Sequence, residues 1–168
     1  MKNDFRADLK YSHSQSDAPW WREVYTSAFP NLQSMTDVRA DGWAQRGGID
    51  RVLILSSGKR VDIDEKVRRS SWPDVLLERW SDADRKKPGW VQKDLACDFI
   101  AYAWETRQEC LLLPFLTLRK VWLENGRDWI ERYKTIRAEN RSYTTESIAV
   151  PTETLVSAIA ESMLVSWQ

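Results

Sequence analysis

Residues 48–67, GIDRVLILSSGKRVDIDEKV, decide the fold. Ile49 to Leu55 is rich in β-formers, Ser56-Ser57-Gly58 is turn-forming, and Arg60 to Lys66 alternates apolar with polar residues up to Val67. The pattern predicts a β-hairpin. Period two sets Val61 and Ile63 on one face of the second strand and Asp62, Asp64 and Lys66 on the other. The position of Asp50 depends on the turn. A two-residue loop at Ser57-Gly58 sets Asp50 opposite Glu65. A three-residue loop, Ser56 to Gly58 with Gly58 at positive φ, sets it opposite Asp64. The second register, or a bulge that restores it, is the expectation. It brings two carboxylates to a Cβ separation of about 4.5–5.5 Å.

Two carboxylates that close repel unless a cation lies between them, and two such groups can share one Mg²⁺ or Mn²⁺ with oxygen ligands at about 2.1 Å. An ion held by only two protein carboxylates keeps water in its other positions, and one of those positions can accept a phosphate oxygen. Lys66 adjoins the pair and can orient or deprotonate an attacking water or neutralise charge on the phosphorus. The Glu65 carbonyl is an additional ligand candidate.

Outward from the hairpin, Asp17-Ala18-Pro19 reads as the cap and first turn of a helix whose stripe is Trp20, Trp21, Val24 and Ala28, ended by Pro30-Asn31. Residues 35–39 suggest a short strand. Residues 74–80 read as a strand, with a helix from Pro73 as the alternative, and a helical turn follows at Trp90 to Leu95. Asp98 to Trp104 and Cys110 to Phe115 read as two further strands. Thr117 caps a helix through Leu118, Val121 and Trp122 that Asn125-Gly126 breaks, with Trp129, Ile130 and Tyr133 continuing the pattern. Residues 144–168 are assigned to a C-terminal helix that starts at Thr152 and carries Leu155, Val156, Ile159, Ala160, Met163, Leu164 and Trp167. The order of elements predicts an α+β (mixed α/β) domain with a central mixed sheet, flanked by helices. No linker is evident, so residues 1–168 read as one domain with a polar arm at 1–16.

Composition narrows the chemistry. With 168 residues the chain can form a real core, and its 42% hydrophobic and 30% charged content is that of a folded soluble protein. No apolar run approaches a bilayer span, and the polar N-terminus is unlike a signal peptide. One histidine, His13, and two cysteines, Cys97 and Cys110, exclude a disulfide framework, multi-histidine metal sites and histidine-based triads. The expected setting is the cytoplasm, and the available chemistry is that of carboxylates, lysines and arginines. Net charge is zero, but Lys66 to Lys93 carries eight basic against four acidic residues. Of the ten tryptophans, Trp20, Trp21, Trp122 and Trp129 sit in core-like patterns, whereas Trp43, Trp72 and Trp90 lie beside polar or basic stretches where an aromatic face can stack on an unpaired base.

Gly48-Ile49-Asp50, thirteen residues, then Asp64-Glu65-Lys66 resembles the signature of the PD-(D/E)XK nuclease superfamily, with Ile49 where the name has proline. The resemblance covers roughly residues 17–115: a leading helix, a meander holding the motif, then further helix and strand. It implies a restriction-endonuclease-like fold and Mg²⁺- or Mn²⁺-dependent hydrolysis of nucleic-acid phosphodiesters, DNA before RNA. In that family Asp50 and Asp64 would be metal ligands and Lys66 the catalytic lysine, with Glu23 on the first helix as an added ligand. Lys93 and Gln92, at a turn after Pro88-Gly89, and Arg68, Arg69, Arg85, Lys86 and Lys87 would then contact phosphates. Two alternatives stay open. One is an inactive nuclease-fold binding or inhibitor protein of phage or mobile-element origin; the other is an assembly factor that forms a homodimer through the C-terminal helix. An edge-strand face with Lys66 guarding against mispairing explains the motif without chemistry.

Overall fold

The structure, a computed structural model, describes residues 18–140 and 142–164. The polar arm, Asp17 and Trp167 lie outside the described residues. In chain order the elements are α1 (Trp20–Ala28), β1 (Leu32–Asp37), α2 (Gly42–Arg46), β2 (Arg51–Leu55), β3 (Arg60–Arg68), β4 (Asp74–Asp82), β5 (Lys87–Pro88), a 3₁₀ turn (Trp90–Gln92), β6 (Phe99–Trp104), a second 3₁₀ turn (Glu105–Arg107), β7 (Glu109–Pro114), α3 (Phe115–Arg132), β8 (Thr135–Glu139), β9 (Thr144–Pro151) and α4 (Thr152–Ser162). The protein is a mixed α+β chain with two sheets. The described residues form two compact units that the chain enters twice each, 18–71 with 94–115 and 72–93 with 116–164. Units interleaved in this way leave no single linker in the sequence.

The first unit holds a five-stranded sheet in the order β1-β2-β3-β6-β7. Its pairings are antiparallel except β3 with β6, which run parallel. The β2–β3 hairpin takes the three-residue loop: Gly58 has φ 80°, and the Leu55 N–H donates to the Lys59 carbonyl at 2.9 Å. Leu53 then pairs with Val61 and Arg51 with Ile63. The ladder ends there, as the Asp50 N–H turns back to the Ile63 carbonyl at 2.8 Å.

Helix α1 covers one face of this sheet. Trp21 and Tyr25, four residues apart, point the same way and stack with ring centroids 5.5 Å apart. They are fully buried in one core with Leu53, Val61, Ile63, Ala101 and Ala103. The alanines of β6 leave room for the two aromatic rings on the sheet, and each large side chain so buried contributes about 1.5–3 kcal/mol.

The second unit holds an antiparallel sheet in the order β5-β4-β9-β8, with α4 lying against β9 and β4. Val75, Leu77, Ile148, Val150, Leu155 and Ile159 are buried there. Residues 74–80 form the expected strand rather than a helix. Two expectations need correction. Residues 144–151 are strand β9, not part of a C-terminal helix, and β8 was not foreseen; both carry polar residues because the pair is tied by Arg137 to the buried Glu146, with an Nη2 to carboxylate distance of 2.9 Å. Helix α3 also runs unbroken past Asn125-Gly126, starting at Phe115 before the expected cap, Thr117. Asn125 donates its side-chain amide back to the Val121 carbonyl at 3.0 Å, and Gly126 lies against the Trp122 ring, where a Cβ would come within 3.1 Å. Burial of Trp122 and Trp129 outweighs the roughly 1 kcal/mol that a mid-helix glycine costs.

Candidate functional site

Strand β3 presents a different carboxylate to each face. On the α1 side, following Val61 and Ile63, stands Glu65, with a side chain 1% exposed. Tyr25 donates its hydroxyl to Oε1 at 2.7 Å, Arg51 donates Nε to the same oxygen at 2.6 Å, and Arg39 donates Nη2 to Oε2. Every carboxylate oxygen here has a donor. Burial, and then the Glu65 charge, push the Tyr25 phenol far above its usual range, so it acts as a neutral donor.

On the opposite face Asp64 and Lys66 stand side by side, and Lys66 Nζ donates to Asp64 Oδ1 at 2.6 Å. Their partners on β6 are Ile100 and Tyr102, both buried. This apolar flank removes water from Asp64, which is buried, and its Oδ2 has no hydrogen-bond partner among the described residues. Burial pushes the Asp64 carboxyl up to about 7; Lys66 opposes the rise and the neighbouring Asp50 adds to it.

Asp50 comes to this place through the loop before β2. Gly48 has φ 66°, and a Cβ there would meet Leu95 at 2.7 Å, so the turn needs glycine. The Val38 N–H then holds the Asp50 carbonyl at 2.9 Å, and Asp50 Oδ2 accepts the Glu65 N–H at 2.8 Å. Arg39 Nε lies 3.6 Å from Asp50 Oδ1, and the same guanidinium reaches Asp37 at 2.5 Å. Four carboxylates (Asp37, Asp50, Asp64, Glu65) thus face three cations (Arg39, Arg51, Lys66). The cluster carries one excess negative charge when all are ionised, and Asp64, with its orphaned oxygen, is where that excess is least satisfied.

The residues present fit a hard divalent cation of the Mg²⁺ or Mn²⁺ type. Asp50 and Asp64 supply two anionic oxygen donors, and an ion of this kind keeps water elsewhere in its shell. The donor set stops there: among the described residues no group of three His, Cys, Asp or Glu side chains is placed to hold a metal. One ligand named from the sequence, Glu23, is not brought to the pair. The Glu65 side chain is spent on Tyr25, Arg51 and Arg39, so of this residue only the carbonyl, the atom named from the sequence, stays a ligand candidate. Glu23 is exposed on α1, on the side away from Trp21 and Tyr25, and α1 packs against the Glu65 face rather than the Asp64 face.

The phosphate-contact candidates fall in both units. Arg68 continues the Asp64–Lys66 row by period two, and Arg69 is exposed just beyond β3. Lys86, Lys87, Gln92 and Lys93 belong to the second unit. There Gln92 donates its amide to the Arg79 carbonyl, Lys86, Lys87 and Lys93 are exposed, and Arg85 pairs with the buried Asp82 at 2.8 Å. Trp43 and Trp72 are exposed, while Trp90 is buried and unavailable for stacking. Burial, with Asp64 nearby, pushes the Cys97 thiol up to about 12, so it stays protonated.

Tyr25, Arg39 and Arg51 were not singled out from the sequence. Arg51 and Glu65 carried a signal, since period two puts both on the same face as Leu53, Val61 and Ile63, where a charge must be paired. Arg39 and Tyr25 come from other segments and left none.

Fold and site together define an α+β protein whose β-hairpin displays a two-carboxylate, one-lysine cluster. The chain matches no family model, and neither the curated proteins nor the solved structures contain a match to it.

Proposed function

We propose that the protein is a Mg²⁺- or Mn²⁺-dependent nuclease with a restriction-endonuclease-like fold, hydrolysing phosphodiesters of nucleic acid, DNA first. The observation that carries this reading is the buried Oδ2 of Asp64, without a hydrogen-bond partner among the described residues, on a carboxyl that Lys66 holds by its other oxygen and that Asp50 lies near enough to perturb. A carboxylate used only for stability would be satisfied as Glu65 is; one kept short of donors suits a ligand. The order of elements adds support: a leading helix, a meander β1-β2-β3 carrying the motif, and β6 returning parallel to β3. The pattern departs from the resemblance between β3 and β6, where β4, β5 and a 3₁₀ turn stand in place of a helix.

Asp50 and Asp64 would hold the cation, Asp50 fixed by the Glu65 N–H and Asp64 by Lys66. A divalent ion in this position lowers the pKa of water and neutralises a phosphate oxygen. Lys66 keeps its ammonium beside the reacting phosphate, offsetting the charge that builds as water oxygen bonds to phosphorus and the bond to the leaving sugar oxygen breaks. Arg39 sets the orientation of Asp50. The apolar flank of Ile100 and Tyr102 lowers the local dielectric and strengthens each of these interactions.

The test is cleavage of single- and double-stranded DNA and RNA with Mg²⁺ or Mn²⁺. Chelator should abolish it, and Asp64→Ala and Lys66→Ala should lower it by about 10²–10⁴-fold while the circular dichroism stays native. Folded wild-type protein that cuts none of these with either metal would reject the reading. The zero net charge favours a second one, an inactive nuclease-fold binding or inhibitor protein. That protein would bind its target equally well in chelator. Self-association through α4, whose end exposes Met163 and Leu164, is checked by sedimentation of Met163→Asp.

A further inference from the structure

The segment between β1 and β2 does more than deliver Asp50. Its short helix α2 is fastened through its cap and through backbone hydrogen bonds. Asp41 Oδ1 accepts the N–H groups of Trp43 and Ala44 at 2.8 and 3.1 Å, the Ile49 N–H reaches the Ala44 carbonyl at 2.9 Å, and the Ala96 N–H reaches the Gly47 carbonyl at 2.7 Å. No α2 residue is buried, and Trp43 is 81% exposed. Tryptophan normally repays its place by burial; here the indole is displayed instead.

The display is organised. Arg46 sets its guanidinium carbon 4.4 Å from the Trp43 ring centroid, and its Nε donates to the Gly42 carbonyl at 3.1 Å, so a fixed cation backs the ring. Trp43 also lies near the carboxylate pair. It adjoins Ala44, whose carbonyl holds Ile49, the neighbour of Asp50. With consecutive Cα atoms about 3.8 Å apart, the Cα atoms of Trp43 and Asp50 are within about 15 Å. At about 3.4 Å per stacked base this is some four nucleotides.

We propose that Trp43, backed by Arg46, is a stacking platform for an unpaired nucleobase. The substrate is therefore a nucleic acid with a single-stranded segment within a few nucleotides of the bond to be cut. A duplex keeps the faces of its bases inside the stack, so an exposed indole has a face to meet only where the strand is unpaired, and the Arg46 cation suits the adjoining phosphate. The inference rests on the nuclease reading for its placement beside the reacting bond, but stacking itself needs no cleavage.

The test is fluorescence anisotropy of the full chain in chelator at fixed salt, with a labelled oligothymidylate and with a blunt duplex of the same length. The wild type should prefer the single strand. Trp43→Ala should weaken single-strand binding by about 5- to 150-fold, the value of one stacked base, and collapse the preference, whereas Trp43→Phe should retain most of it. Equal single-strand affinity in wild type and Trp43→Ala overturns the platform, whether or not the wild type cuts. Binding to neither nucleic acid overturns it too and assigns the exposed ring to a protein partner. Trp43-dependent binding by a protein that never cleaves upholds the platform and rejects the nuclease reading alone.

Discussion

The two faces of β3 hold adjacent carboxylates with opposite fates. Glu65, on the α1 side, is surrounded by Tyr25, Arg51 and Arg39, and each of its oxygens has a donor. Asp64, one residue earlier, lies against Ile100 and Tyr102 with one ammonium and one unsatisfied oxygen. Both are buried, so burial alone does not tell a structural acid from a functional one. The number of donors separates the two: Glu65 is fully paired, and Asp64 keeps one oxygen without a hydrogen-bond partner among the described residues.

The largest expected effect breaks the finished side. Glu65→Ala takes the carboxylate away from the buried Arg51, from Arg39 and from the Tyr25 hydroxyl at once, and should cost about 3–5 kcal/mol by denaturant unfolding, as removal of one member of a buried ion pair does. Tyr25→Phe removes one hydrogen bond to a charged group and should cost about 1.5–3 kcal/mol by the same measurement. A loss below 0.5 kcal/mol for Glu65→Ala would erase the contrast between the faces. Asp64→Asn, by contrast, should leave metal-free stability unchanged or raise it above about pH 7, where the wild-type side chain becomes an under-compensated buried charge.

The same contrast has a pH signature. The folded protein holds a proton on Asp64 up to about 7, well above the range of an exposed aspartate. The native state thus binds this proton more tightly than the unfolded chain. Its contribution to stability is present below about pH 4 and is lost as pH rises through about 7. In chelator, the melting temperature of the wild type relative to Asp64→Asn should therefore fall between pH 5 and 8. A difference that is flat, or that rises, would mean that Asp64 is ionised throughout.

Much of this arrangement was legible in the sequence because it depends on local rules. Alternation sets the faces of β3 and Gly58 the three-residue turn, whose ladder runs to Arg51 and Ile63; Asp50 is placed from there by the Gly48 turn and the Val38 hydrogen bond. What was missed depends on tertiary contacts. Asn125-Gly126 has the chemistry of a helix end, yet the Asn125 bond to Val121 and the fit of Gly126 to Trp122 carry α3 through it. Thr144 to Ser147 is too polar to read as a strand until Arg79 and Arg137 are seen flanking Glu146. The fate of the Glu65 side chain was not legible, because two of its partners lie 40 and 26 residues away on α1 and after β1.

Calorimetric titration of Mn²⁺ into the wild type and into Asp50→Asn and Asp64→Asn tests the pair itself, apart from any substrate. One ion should bind per wild-type chain, Mg²⁺ should displace it, and either variant should abolish binding while remaining folded. Undiminished binding by both variants, or none by the wild type, would contradict a cation held between Asp50 and Asp64.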